Sequence, residues 1–174
     1  MNAKSDELFR RATDVDIRQR MGKRPLEVGA NLISRTAVAA LELLGAIRQL
    51  TGQTIPLAWA PVEAAPYRAI EVYPAATRLA HGAPDSGGSL KGLERCLDVP
   101  SVHSEALQSA DAVDAAVCAL AAGDFLLGHA IAPTDHKVAS VEGWIWVAGR
   151  LLRADPFWAR ELSPPIIHAT SSTL

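Results

Sequence analysis

Cysteine is scarce in this chain: Cys96 and Cys118 are the two among 174 residues. They stand far apart and form no metal-type spacing, so a cysteine-based zinc module is excluded and a reducing cytoplasm is the expected setting. Long apolar runs are missing as well, and no stretch is long enough to cross a bilayer. The opening Met1-Asn-Ala-Lys-Ser-Asp-Glu7 lacks the apolar centre of a secretory signal. Basic charge is not in excess: 17 Lys and Arg face 19 Asp and Glu, for a net charge of −2. No global field therefore attracts nucleic acid, and binding to a polyanion requires a local patch or metal ions. There is no internal repeat.

What is present is enough apolar material, 49% of the residues, to build one domain around a core. Residues from Lys4 to Arg20 read as a charged helix broken by Gly22 and Pro25. Val38, Leu41, Leu44 and Ile47 recur at helical spacing, predicting a helix from Asn31 to Leu50 stopped by Gly52. Tyr67 to Tyr73, bounded by Pro66 and Pro74, reads as a strand. Pro74 suits a helix's first turn and predicts a helix to His81. Lys91 to Leu97 reads as a short helix and His129 to Ser140 as loop. Val141 to Ala148 reads as a strand with Gly143 as a bulge. In that strand Trp144 and Trp146 alternate with Ile145, so one face is expected in the core and the other as a lid.

The chemistry concentrates in three places. Asp111 and Asp114 lie three residues apart in an alanine-rich helix ending near Gly128. At that spacing both carboxylates project from one face. Like charges held close favour a cation or proton between them, and hard oxygen ligands on a rigid element suit a divalent ion. An N-terminal cap is the ordinary role of Asp111, but Asp114 lies a turn further in, where Asp is a poor helix former. Glu71 lies in an otherwise apolar strand, costly to bury unless paired; an edge position facing solvent is its ordinary alternative. Arg11, Asp14 and Arg18 share a helix, where they are either phosphate contacts or a solvated ion-paired face.

Three pieces taken together resemble a known family. They are Arg11-Ala-Thr-Asp-Val-Asp-Ile-Arg18 with Gly22 and Pro25; Glu71-Val-Tyr-Pro-Ala75; and Asp111-Ala-Val-Asp-Ala-Ala-Val-Cys-Ala119 followed by Glu142-Gly-Trp-Ile145. In order and spacing, from about Arg10 to Val147, they resemble the predicted RNase H-like nuclease family known as domain of unknown function four-two-nine. The resemblance implies an α/β RNase H-like fold over residues 1–150, with 151–174 as a C-terminal tail. It implies that Glu71, Asp111 and Asp114 are the catalytic carboxylates and ligands of Mg²⁺ or Mn²⁺, and that they converge in space. One ion would activate water and the other would stabilise the leaving oxygen in phosphodiester hydrolysis of nucleic acid. Arg11, Asp14 and Lys91 become substrate-binding candidates.

Members of that family usually begin with a Gly-x-Asp strand and two further strands, and this sequence contains none of them ahead of Arg11. The expectation is therefore an N-terminally truncated sheet with an incomplete carboxylate set. Such a protein is a metal-dependent nuclease-like protein, weak in metal binding, or an inactive remnant. It is also expected to leave the Tyr67–Tyr73 strand with an open edge for self-association. The alternative is a non-catalytic protein that binds a partner or a nucleotide on the same fold. An actin-like phosphotransferase would need Gly-rich phosphate loops, and Gly87-Gly88 alone does not supply them.

Overall fold

The computed structural model describes residues 10–23, 25, 31–61, 67–84, 88–97, 107 and 109–149. The start of the helix expected from Lys4 and the tail 151–174 lie outside the described residues. Among the described residues there are five helices: α1, Ala12–Met21; α2, Asn31–Thr51; α3, Pro74–Ala80; α4, Ala110–Leu126; and α5, His136–Glu142. Among the described residues, extended pairing is confined to three isolated bridges, Leu57 with Ala69 and Glu71 with Ile145 in parallel, and Ala130 with Ala148 antiparallel. The described chain is thus rich in helix and poor in strand.

Those bridges order four extended segments side by side. The Leu57 segment lies beside 69–71, that beside 145–148, and that beside Ala130. Backbone N–H groups of Ala58, Trp146 and Ile131 donate across the successive gaps at 2.8, 2.9 and 3.0 Å, to Ala69, Glu71 and Val147 carbonyls. Parallel neighbours need a long crossover, and between Glu71 and Ile145 the chain supplies one in α3, α4 and α5. The segment expected to carry an open edge is bridged at Ala69 to Leu57 and at Glu71 to Ile145.

The 145–148 segment divides the core because extended residues alternate in direction. Ile145 and Val147 pack with Ile17 of α1 and Ala76 and Ala80 of α3. Trp144 and Trp146 pack with Ala58, Phe125 and Ala139. Both tryptophans are buried, so neither is a lid. The Phe125 and Trp146 rings meet edge to face at 4.7 Å, and Trp144 Nε1 donates to the Ile131 carbonyl at 3.0 Å, giving the buried indole its partner.

Several boundaries differ from the sequence expectation. Asp135 caps α5, accepting from Lys137 and Val138 N–H, so the loop expected to Ser140 ends in a helix. Val141 and Glu142 complete that helix rather than opening a strand. Lys91 to Leu97 forms turns, not a helix. Helix α2 matches its expected extent within a residue, but no other described helix packs against it. Val38, Leu41, Leu43 and Leu50 on it are exposed. Among the described residues, no helix is long and apolar enough to cross a membrane.

Candidate functional site

The N-terminus of α1 is where the widely separated motifs meet. Arg11 stands at its N-cap with extended backbone, and its own N–H donates to Asp14 Oδ2 at 3.1 Å. The next N–H, of Ala12, donates to Glu142 Oε2 at 2.7 Å. Two acidic side chains, one local and one from the end of α5, thus satisfy two of the N–H donors at the start of α1. This assigns Glu142 a definite role as a cap across the tertiary fold.

The Arg11 guanidinium then joins the carboxylates. Its Nη1 donates to Glu71 Oε2 at 2.9 Å, and its Nη2 lies 2.8 Å from Glu71 Oε1. This is the two-pronged fork characteristic of arginine–carboxylate pairs. The same Nη2 donates to Asp14 Oδ1 at 3.2 Å. Burial pulls the guanidinium pKa down, but hydrogen bonds and charge from Glu71 and Asp14 outweigh it and hold it above its ordinary value. Asp14 is buried, with 6% of its side chain exposed, while Glu71 keeps 39%. The cluster therefore opens to solvent on the Glu71 side.

Two residues missed by sequence reasoning support this cluster. Thr13, fully buried, accepts from the Ile145 N–H through its hydroxyl at 2.9 Å, tying α1 to the segment beside Glu71. Gly143 passes so close that its backbone borders both Glu71 and Arg11. The sequence marks Gly143 as a strand bulge and within the Gly-Trp-Ile context, whereas it ends α5; nothing local marks Thr13.

The other candidates are placed elsewhere. Ser109, not Asp111, caps α4, its hydroxyl accepting from Ala112 N–H. Asp111 is exposed and Asp114 half-buried. The buried stripe of α4 runs Val113, Val117, Ala121, Asp124 and Phe125, so Asp124 is the carboxylate this helix takes inside. Lys91 is exposed, and its N–H donates to Ser89 Oγ at 3.2 Å. Arg20 pairs with Asp16 at 2.7 Å, an ordinary i, i+4 pair.

Among the described residues, no three His, Cys, Asp or Glu side chains are gathered so as to hold a metal ion. Glu71, Asp111 and Asp114 therefore do not assemble the expected cage, and both oxygens of Glu71 are engaged by Arg11. The described arrangement does not fit Mg²⁺ or Mn²⁺. Comparisons with protein-family models, curated proteins and solved structures find no match to this chain.

Proposed function

We propose that this chain is a non-cleaving protein of the RNase H-like nuclease type. It retains an α/β core and an acidic centre, and an arginine balances the charge that metal ions would balance in an active enzyme. The observation that carries this reading is the fork of Arg11 on Glu71, closed by Asp14. A carboxylate expected to ligate a cation is instead neutralised by a side chain from another motif. Support also comes from the meeting of three of the resembling pieces, around Arg11, Glu71 and Glu142, and from parallel bridging at Glu71 with helices in the crossover. The ligand class in this reading is nucleic acid.

Labelled DNA and RNA, single- and double-stranded, incubated with the full chain in Mg²⁺ or Mn²⁺, test the reading. No cleavage above buffer is expected, and Mn²⁺ titration calorimetry should give the same small heats for the native chain and for an Asp111→Ala, Asp114→Ala variant. Metal-dependent cleavage that disappears in Glu71→Gln would overturn it.

A further inference from the structure

A second constellation lies away from Arg11, where α3 and α4 pack together. His81 is the C-cap of α3, and Asp124 belongs to the buried stripe of α4. Both side chains are almost fully enclosed, at 5% and 6% exposure. His81 Nε2 stands 2.8 Å from Asp124 Oδ2. The other ring nitrogen, Nδ1, stands 3.4 Å from Cys96 Sγ, which comes from the turn after Leu93. Asp124 is held in turn: its backbone carbonyl accepts from the N–H groups of His129 and Ala130, and His129 Nδ1 lies 4.0 Å from Oδ1.

The three side chains are thus linked in series, thiol to imidazole to carboxylate. That is the order of nucleophile, base and orienting group in covalent catalysis. Because the imidazole uses opposite ring edges for its two partners, the trio is not arranged as a chelate. Burial pushes the Cys96 thiol up, the Asp124 charge adds to this, and Arg95 opposes it. In the tautomer that carries its proton on Nε2, that N–H faces Asp124 and Nδ1 is left to accept from the Cys96 S–H. Cys96 is only partly covered, whereas the His81 and Asp124 side chains are almost fully enclosed, so of the three residues it is the one nearest solvent.

We propose that Cys96, His81 and Asp124 form a nucleophilic triad that accepts acyl groups from small activated esters or thioesters. Sγ attacks the carbonyl carbon, and its proton passes to His81 Nδ1 as the S–C bond forms. The carbonyl π pair moves to oxygen. The imidazolium is stabilised by Asp124. As the oxygen pair returns, the bond to the leaving alcohol or thiol breaks, and the leaving group takes the bonding pair and the proton from His81. Cys96 is left as an acyl thioester. Water then attacks it, giving a proton to His81; the C–S bond breaks, the carboxylic acid departs and the sulfur regains its proton.

Cys118 provides an internal control, since burial and then Asp114 push its thiol up too. The native chain is incubated with p-nitrophenyl acetate, with p-nitrophenolate followed by absorbance and the acetylated cysteine located by peptide mass. Cys96 should be acetylated on the order of a hundredfold faster than Cys118, the low end of what a positioned general base supplies. His81→Ala should remove that advantage without altering Cys118, and added imidazole should restore part of it. Asp124→Asn should lose part of it. Imidazole rescue separates a missing base from a lost fold, because His81 also ties two helices together. Equal acetylation of the two cysteines in the native chain overturns the proposal whatever the variants do. So does an unchanged Cys96 rate in folded His81→Ala.

Discussion

A Cβ built on Gly143 would stand 3.0 Å from Oε2 of Glu71 and 3.3 Å from Nη1 of Arg11. The glycine also sits at φ 87°, in the left-handed region that side chains disfavour. It ends α5 and lets the backbone run against the acidic cluster. Its ψ of 167° is extended, a combination open essentially to glycine alone, so Gly143→Ala should destabilise the chain by about 1–3 kcal/mol from backbone strain alone, with the contact adding to it. Urea unfolding reads this as a lower midpoint at unchanged slope. An unchanged midpoint would mean that neither the φ angle nor the contact constrains this position.

The Thr13 hydroxyl carries one hydrogen bond that no neighbour replaces easily. Thr13→Val keeps the shape but leaves the buried Ile145 N–H without its acceptor, and should cost about 1–3 kcal/mol. Thr13→Ser should recover much of that loss. If Val and Ser variants unfold at the same urea concentration, the hydroxyl contributes nothing.

The Arg11–Glu71 fork looks strong by geometry, but Glu71 is more than a third exposed, so solvent screens it. A double-mutant cycle with Arg11→Ala and Glu71→Gln should give a coupling of about 1 kcal/mol or less, shrinking in high salt. A coupling of several kcal/mol would place Glu71 in a drier setting than described.

Alkaline pH should weaken the fold through its cysteines. Both thiols are raised by burial, with Asp124 and Asp114 respectively adding charge. The folded state then keeps protons that the unfolded state releases above its thiol pKa of about 8.5. The stabilising contribution is complete below that pH and is lost as pH rises through the folded values. Melting temperature should fall between about pH 8 and 10 more steeply for the native chain than for a Cys96→Ser, Cys118→Ser variant. Parallel pH profiles would count against the shifts.

Local patterns were readable where local forces decide. The 3.6-residue repeat and Gly52 delimited α2, Pro74 opened α3, and alanine richness marked α4. The Asp135 cap was equally local, and its reading as loop overlooked a start signal that the residue type carries. The phase of α4 was readable too: Asp124 follows Ala121 on the stripe of Val113 and Val117, which Asp111 does not share.

The sequence by itself determined α2, α3 and α4, because hydrogen bonds within a helix close over four residues and depend mainly on neighbours. Motif order points to a convergence of Glu71, Asp111 and Asp114, not to the meeting of Arg11, Glu71 and Glu142. Only the tertiary structure decided how they meet. Arg11 reaches Glu71 across 60 residues, and Glu142 caps Ala12 across 130. Such pairings depend on how helices pack, which places a charge beside a partner or leaves it in water. The same packing buried Asp124 against His81 and Cys96 and left Asp111 outside, since a carboxylate enters a core only where the fold brings it a donor.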